Sequence, residues 1–388
     1  LTSKYFAGRS AVAGGEKKAA NFIANHFKKK GLKSFENSFF QEFVAPINTF
    51  PKALSVSVDG KEIIPGVDYI VDAASGGIDG TFELYWYNSN LFSTKSELAH
   101  LVNADFFANK FVVLGVSESA VGNSFFQQFK RNKVNAAGLI FLEDKLTQHL
   151  SAVAKTYPIL HVNRSLLKDS AKTITVKIDQ KLRTAYQSQN VIGCVEGTEH
   201  PDSFIVLSAH YDHLGTMGEH TYFPGANDNA SGVAMLLDLV TYYTAISPPV
   251  KSVIFIAFGA EESGLVGSKY FVNHPTVPLT QIKFVFNMDL MGTGSEGGMI
   301  VNGRVYDEQF NKLIKINNEH NYLPLLKKRG KAANSDHYWF SENGVPSFFI
   351  YLMGGVGAYH DVEDISKTLP LTKYEDSFRL IRDFVDEL

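Results

Sequence analysis

The sequence predicts an α/β fold: a mixed, mainly parallel central sheet flanked by helices, with a β-rich domain inserted into it. Four nearly continuous apolar runs are expected to be strands that are covered on both faces, namely 204–208, 252–258, 284–287 and 346–352. Helical patterns, such as those at 233–243 and 374–387, lie between or after these runs. Strands that alternate with helices are typical of a parallel sheet.

The first part of the chain predicts a helix and then a separate module. Residues 16–30 place Ala19, Ile23 and Phe27 on one apolar face with lysines opposite, and Gly31 is a suitable end point. Short strand-like runs follow at 54–58, 69–71, 81–87, 111–114, 138–142, 159–162 and 174–178. We therefore expect three segments: 1–49 as the start of the main domain, 50–182 as the insertion, and 183–388 as the rest of the main domain.

Composition narrows the classes of function. The chain has 388 residues and a net charge of −3, which gives no indication of a nucleic-acid partner. No apolar run is long enough to predict a membrane span. Cys194 is the only cysteine, so an intramolecular disulfide and a thiolate metal site are both excluded, and a metal would need His, Asp or Glu ligands. The chain starts at Leu1, from which we expect a removed leader and an exported protein, whether periplasmic, cell-surface or secreted.

Polar residues follow the predicted strands at the points where active sites form in α/β sheets. They are His210, Asp228, Glu261, Glu262, Asp289 and His360. Each taken alone has an ordinary explanation: a structural histidine, a solvated glutamate pair, or a helix-capping loop around Asp228. The ordered set of all six is difficult to explain as packing.

Two imidazoles and three carboxylates can hold two divalent ions if one carboxylate bridges them. Neutral imidazole and carboxylate oxygen suit zinc. Three carboxylate charges against two dications leave one net positive charge, which lowers the pKa of a bound water towards ~7. A further carboxylate can then accept the proton, and the adjacent pair Glu261 and Glu262 allows one to face the metal and the other the water.

The motifs resemble the M28 family of metallopeptidases, the di-zinc aminopeptidases. The resemblance covers most of the second half of the chain, with a weaker match at Gly8-Arg9 and the first helix. The matching segments are 208–215 (SAHYDHLG), 225–232 (GANDNASG), 258–268 (FGAEESGLVGS), 287–292 (NMDLMG), 335–337 (SDH) and 359–360 (YH).

This resemblance implies the roles of the metal ligands. His210 and Asp289 would hold one zinc, Glu262 and His360 the other, and Asp228 would bridge the two. Glu261 would be the general base. The peptide bond after Asp228 is expected to be cis.

The resemblance also implies supporting roles. Asp212 would orient His210, although a solvated loop aspartate is the alternative. Tyr359 would donate to the oxyanion, or simply pack. Asp336 and His337 are candidates for substrate binding, unless Asp336 only caps a helix that begins at His337. His213 and His220 are expected to be surface histidines, and the insertion resembles a protease-associated domain.

The function expected from the resemblance is a zinc aminopeptidase that removes residues from peptides with a free N-terminus. Two zinc ions are the cofactors that it implies, and we expect neither a nucleic-acid partner nor a membrane span in this chain. A carboxypeptidase or dipeptidase is the alternative within the fold, and its cation for the terminal carboxylate could come from Arg304, Lys327, Lys328 or Arg329. A glutaminyl cyclase would use one zinc. A non-catalytic, receptor-like binding protein would have lost ligands, and none is lost here.

Overall fold

The chain forms two compact units. Its structure is a computed structural model that describes residues 1–88, 95–115, 124–355 and 357–388. The larger unit comprises Leu1–Ala45, Ala185–Gly215 and Phe223–Leu388, and the smaller comprises Pro46–Thr184 and Thr216–Tyr222. The sequence did not anticipate that the last of these segments belongs to the smaller unit. Parts of the expected 50–182 insertion, at 89–94 and 116–123, lie outside the described residues.

The described residues contain eighteen strands and eight α-helices. The strands are β1 (Phe40–Thr49), β2 (Leu54–Val58), β3 (Lys61–Ile63), β4 (Tyr69–Val71), β5 (Ile78–Trp86), β6 (Lys110–Gly115), β7 (Gly138–Glu143), β8 (Ile159–Asn163), β9 (Thr173–Ile178), β10 (Lys181–Val195), β11 (His200–His210), β12 (Thr216–Met217), β13 (Thr221–Tyr222), β14 (Lys251–Phe258), β15 (Ile282–Met288), β16 (Gly297–Val301), β17 (Leu326–Lys328) and β18 (Ser347–Met353). The helices are α1 (Gly15–Lys29), α2 (Lys95–Asn103), α3 (Ser124–Lys130), α4 (Gly232–Ala245), α5 (Val266–Asn273), α6 (Asp307–His320), α7 (His337–Glu342) and α8 (Tyr374–Asp386).

The sheet at the centre of the larger unit, called the large sheet below, has eight strands in the order β1-β10-β14-β11-β15-β18-β16-β17. The central strands β14, β11, β15 and β18 are parallel to their neighbours in this group. Towards the two sides, β10 and β16 pair antiparallel with β14 and β18. The predicted mixed, mainly parallel sheet is therefore confirmed.

Helices cover both faces of the parallel strands. Val206 packs with Phe271 of α5 and Phe340 of α7, whereas its neighbour Leu207 packs in the cluster that contains Phe384 of α8. Successive side chains of a strand point to opposite faces, so both must be apolar when both faces are covered. Each fully buried side chain of this size contributes roughly 1.5–3 kcal/mol. This rigid double-sided core fixes the strand ends on which the polar residues lie.

The smaller unit has its own eight-stranded sheet, in the order β3-β2-β9-β5-β6-β7-β8-β4, and the short hairpin of β12 and β13. Strands β5, β6, β7 and β8 are parallel, and the remaining pairs are antiparallel. Phe107, Phe126 and Phe129 form an aromatic core with Tyr87. Among the described residues of both units, no helix combines the length and the apolar character that a membrane crossing needs.

Candidate metal centre

The predicted polar residues follow strands that end at the same edge of the large sheet. His210 is the last residue of β11, and Asp289 comes directly after β15. Glu261 and Glu262 follow β14, whose last residue Phe258 pairs with His210 in the parallel register. Ala260 has a φ of 54°, in the left-handed region, which turns the chain sharply before the two glutamates. Parallel strands thus deliver these side chains to one edge of the sheet.

Asp228 lies in the loop before α4, and the loop is held from two directions. The backbone N–H groups of Asn227 and Asp228 donate to the carboxylate of Asp364 at 2.8 and 3.0 Å. The carbonyl of Asp228 accepts a hydrogen bond from Arg9 Nη2 at 3.1 Å. The peptide bond between Asp228 and Asn229 is cis, as the resemblance led us to expect. The loop therefore presents the Asp228 side chain in a fixed place.

Arg9 is a buried anchor for this loop. Its side chain is 0% exposed. All five N–H groups donate to backbone carbonyl oxygens at 2.7–3.3 Å, those of Leu1, Tyr211, Pro224, Gly225 and Asp228. Burial lowers the pKa of Arg9 to about 10, while the nearby carboxylates of Asp228 and Asp212 act in the opposite direction. The guanidinium thus holds backbone carbonyls of the Asp228 loop, and no carboxylate among the described residues forms an ion pair with it.

Asp228 lies between two pairs of side chains. His210 Nε2 is 3.3 Å from Asp228 Oδ1 and 3.3 Å from Asp289 Oδ1. His360 Nε2 is 3.1 Å from Asp228 Oδ2 and 3.2 Å from Glu262 Oε2. Each carboxylate oxygen of Asp228 therefore faces a different histidine and a different second carboxylate. This is the arrangement in which one carboxylate can serve two cations.

The donor set fits divalent cations. Each imidazole Nε2 faces two carboxylate oxygens, and one proton can bridge only one of them. Asp289 Oδ1 accepts no hydrogen bond among the described residues. The ligand atoms of His210, Asp228 and Asp289 lie within 4.8 Å of one another, which is close enough for a common ion. Buried carboxylates of this number require cations nearby.

The electrostatics agree with a cation site. Burial would raise the pKa of Asp228, but hydrogen bonds from His210 and His360 hold it well below its usual value. Burial would lower the pKa of His360, but the charges of Glu262 and Asp228 raise it to about 11. The carboxylates of Asp289 and Glu261 likewise outweigh burial and raise the pKa of His210. The carboxylates thus attract positive charge to the two positions that the imidazoles face.

Glu261 differs from Glu262 in its environment. Both line the same cavity as the other four residues of the predicted set. Burial raises the pKa of Glu261 well above its usual value, and the charges of Glu262 and Asp336 add to the effect. The pKa of Glu262 is lowered to about 2, because the charge of His360 and the hydrogen bond from His213 outweigh burial. Two adjacent carboxylates with separated proton affinities suit one acid–base role and one ligand role.

Asp212 holds the glutamate pair as well as lying near His210. Its Oδ1 accepts a hydrogen bond from the backbone N–H of Glu261 at 3.0 Å, and its Oδ2 accepts one from Glu262 N–H at 3.2 Å. His210 Nδ1 is 3.2 Å from the Asp212 carbonyl and 3.7 Å from Oδ1. The orienting role expected for Asp212 remains a prediction, and the closer partner of the imidazole is the backbone carbonyl.

Asp289 is supported by a chain of polar side chains that the sequence did not single out. Ser335 Oγ donates to Asp289 Oδ2 at 3.0 Å, and Asn287 Nδ2 donates to Ser335 Oγ at 2.8 Å. Ser208 Oγ in turn donates to Asn287 Oδ1 at 2.8 Å. Polar residues inside the apolar runs at 208 and 287 were the available signal, since buried polar groups need partners.

The prediction that His213 is a surface histidine is wrong. Its side chain is 0% exposed, and its Nδ1 is 2.9 Å from Glu262 Oε1. His213 follows Asp212 in a segment whose backbone is held by Arg9, because the N–H of His213 donates to the Arg9 carbonyl at 3.1 Å. The imidazole therefore orients the free oxygen of Glu262. His220, by contrast, is exposed, as expected.

The prediction that Asp336 and His337 contact substrate is also wrong. Both side chains are 0% exposed, and neither lines the cavity. Helix α7 begins at His337, as the alternative proposed, but the Asp336 side chain makes no capping hydrogen bond. Burial, with the charges of Asp212 and Asp289, raises the pKa of Asp336 to about 7. The sequence alone does not distinguish a loop that lines the cavity from a loop that is buried next to it.

Tyr359 lies at the surface of the cavity. Its side chain is 48% exposed, and its ring stacks on that of His360 with centroids 3.8 Å apart. The cavity has a volume of ≈ 240 Å³, and its lining also includes Arg329 and Tyr351. The stacking fixes the ring over a proposed ligand, and the oxyanion role of Tyr359 remains a prediction.

Comparisons with known proteins agree with these observations. Residues 190–385 match the family model of Peptidase family M28. Aminopeptidase YwaD of Bacillus subtilis is 30% identical over 216 residues, which are 52% of this chain and 44% of that protein. A vacuolar membrane protease of Candida dubliniensis is 27% identical over 59% of this chain and 23% of its own length. The chain thus spans less than half the length of these two curated relatives.

A solved structure shares the fold. The structure of BSAP, described as a zinc aminopeptidase from Bacillus subtilis, matches with a TM-score of 0.73 at 22% identity, over 100% of this chain and 93% of that one. At this level of identity the similarity concerns the fold. The family match, in contrast, covers just over half of the chain and includes every predicted metal ligand. The chain therefore belongs to peptidase family M28.

Proposed function

We propose that this protein is a zinc-dependent aminopeptidase that removes N-terminal residues from peptides. The observation that carries the proposal is the position of Asp228, whose two carboxylate oxygens each face a histidine and a further carboxylate. Glu261 lines the same cavity beside them. A two-metal hydrolase needs one shared carboxylate, two flanking ligand pairs and a base that is not a ligand.

The proposed ligands divide into two sets. His210 and Asp289 hold one ion, Glu262 and His360 hold the other, and Asp228 is shared. Oxygen and imidazole ligands with no thiolate are suited to zinc, and His213 keeps the second oxygen of Glu262 occupied. When bound, the two ions supply a polarised substrate carbonyl and an acidified water.

The residues of the chain carry out the proton transfers. Glu261 accepts a proton from the attacking water and passes it to the leaving amine. A carboxylate with a raised pKa is suited to this exchange, because its proton affinity approaches that of the groups it serves. Asp212 holds the Glu261 backbone N–H at 3.0 Å and so fixes where the base lies. Tyr359, stacked on His360, is proposed to donate a hydrogen bond to the developing oxyanion.

Two further proposals concern the setting of the enzyme. The smaller unit would act as a protease-associated-type module of the chain. We also propose a location outside the cytosol, and the named location of the Candida dubliniensis relative supports this. Immunodetection in fractionated cells of the source organism tests the location, and recovery in the cytosolic fraction alone would exclude it.

A substrate panel tests the activity. The zinc-loaded protein is offered aminoacyl p-nitroanilides with a free or an acetylated amine, with and without a chelator. We expect chelator-sensitive cleavage of the free-amine compounds only. Equal cleavage of acetylated compounds, or cleavage that the chelator leaves unchanged, would refute an aminopeptidase that depends on metal. Cleavage restricted to peptides with a free carboxyl end would instead favour a carboxypeptidase or dipeptidase.

A further inference from the structure

The wall of the proposed active-site cavity contains an arginine that the proposed mechanism does not use. Arg329 lines the cavity together with Tyr351, Phe349 and Asn334. It is the single lysine or arginine in that lining among the described residues. The remaining charged or ionisable lining consists of the proposed ligands, Glu261, Tyr351 and Tyr359, and Asn334 is the one neutral amide of the described lining. A lone guanidinium in an otherwise acidic cavity requires an explanation.

The backbone and the side chain of Arg329 are both held. Arg329 follows directly after β17, at the edge of the large sheet. Its N–H donates to the carbonyl of Ile300 at 2.8 Å, and its carbonyl accepts a hydrogen bond from Arg304 N–H at 3.0 Å. Its Nη1 donates to Tyr351 Oη at 3.3 Å, and the Tyr351 ring packs against Phe349 with centroids 5.4 Å apart. The sheet edge thus presents the guanidinium at the cavity.

Arg329 lacks an ion-pair partner in the part of the chain that the structure describes. Among the described residues, no carboxylate forms an ion pair with it, whereas the adjacent Lys328 pairs with Asp307. A second basic neighbour along the chain, Lys327, is exposed and does not line the cavity. Of the four basic residues that the sequence offered as carboxylate binders, only Arg329 lines the cavity. An unpaired guanidinium with a planar fork is suited to bidentate binding of a carboxylate.

We propose that Arg329, positioned by Tyr351, binds a carboxylate of the substrate; this rests on the proposed function. A cavity of ≈ 240 Å³ is below the ~300–1,000 Å³ of pockets for drug-sized ligands, so it takes about one residue beside the reacting groups. Two substrate groups supply a carboxylate there. One is the side chain of an N-terminal Glu or Asp, and the other is the α-carboxylate of a very short peptide.

Two pairs of isosteric substrates separate these sources. Glutamyl and glutaminyl p-nitroanilide differ only in a side-chain carboxylate, and alanyl-alanine and its amide differ only in the α-carboxylate. Zinc-loaded wild type is compared with Arg329→Gln, Arg329→Lys and Lys327→Gln. The last exchanges a lysine two residues away that lies outside the cavity lining, so it serves as the matched control.

In wild type, we expect one of the two pairs to favour the acid by about tenfold in kcat/KM, which equals ~1.4 kcal/mol. Arg329→Gln should abolish this ratio, Arg329→Lys should keep part of it because the charge remains without the fork, and Lys327→Gln should leave it unchanged. A high salt concentration should reduce the ratio, since Arg329 is exposed. Ratios that are equal in wild type and Arg329→Gln for both pairs would overturn the proposal.

A binding experiment separates this inference from the proposed activity. Calorimetric titration with glutamate, glutamine, alanyl-alanine and its amide measures binding directly, and both zinc-loaded proteins, with and without Arg329→Gln, carry Glu261→Gln here so that the two alanyl compounds are not turned over. If no peptide is cleaved, the aminopeptidase proposal fails, but weaker binding of a carboxylate probe to Arg329→Gln than to wild type would still support the role of Arg329. Equal affinity of both proteins for every carboxylate probe would overturn it.

Discussion

Replacement of Arg9 by lysine tests whether a buried arginine holds the loop that presents Asp228. The guanidinium makes five hydrogen bonds to backbone carbonyls, including those of Gly225 and Asp228 at 2.9 and 3.1 Å. Lysine has three N–H donors where arginine has five, and it lacks the planar fork. Arg9→Lys therefore keeps a basic side chain and leaves at least two carbonyls of the set without a donor.

The size of the effect follows from these contacts. A buried polar group that loses its partner costs about 1–3 kcal/mol, so two such groups cost about 2–6 kcal/mol. A natural domain is stable by about 5–15 kcal/mol, and the variant should therefore fold with a much lower free energy of unfolding. The affinity for zinc should also fall, because a looser loop no longer fixes Asp228 between the two ligand pairs.

The assay measures tryptophan fluorescence, because each of the two units contains one tryptophan. The chain has two tryptophans, of which Trp339 lies in the larger unit and Trp86 in the smaller. In a Trp86→Phe background, Trp339 fluorescence during urea unfolding of the zinc-free protein reports on the larger unit. Zinc affinity is measured by competition with a coloured chelator.

A matched control is Arg379→Lys on α8, where an exposed arginine pairs with Glu375. An exposed pair contributes ~0.2–1 kcal/mol at most, so the same exchange there should change little. If Arg9→Lys altered the free energy of unfolding no more than Arg379→Lys did, and zinc affinity stayed at the wild-type value, the anchoring role of Arg9 would be refuted.

Three further predictions concern the centre and the smaller unit. Glu261→Gln should retain zinc and lose a factor of ~10²–10⁴ in kcat, and wild-type turnover would exclude Glu261 as the base. Asp228→Asn should lower the zinc content itself, and an unchanged stoichiometry would exclude a bridging role. His161 lies 3.0 Å from Asp72 and 3.2 Å from Glu143, and these carboxylates outweigh burial and raise its pKa. The contribution of His161 to the stability of the smaller unit is complete below the unfolded pKa of ~6.5 and is lost as pH rises through the higher folded pKa. Trp86 fluorescence in a Trp339→Phe background should therefore show the smaller unit losing stability with rising pH. His161→Gln should remove that dependence.

Local sequence patterns predicted many of the helices and strands. The helix expected at 16–30 is α1 (Gly15–Lys29), and the apolar run at 252–258 is β14 (Lys251–Phe258). These elements can be predicted because a helix and a strand each repeat their buried apolar residues with a characteristic period. Strands β1 and β10 were not singled out, and β10 is largely exposed over its first seven residues and buried only from Ser188 to Cys194. Such a strand has no single pattern for sequence analysis to detect.

Sequence by itself determined which residue types gather at the candidate centre. Imidazole and carboxylate side chains, and the positions of His210 and Asp289 at the ends of apolar strands, are local properties. Such strand ends meet at one edge of a parallel sheet, irrespective of how the loops fold. Tertiary structure alone decided which groups surround them. Arg9 binds carbonyls 216 residues away, and Asp364 binds a loop 137 residues before it, so neither role has a local signal. Packing between distant segments likewise decides the burial of His213 and Asp336 and the exposure of Arg329 at the cavity. The type of a residue does not determine which face of its segment packs against the rest of the protein.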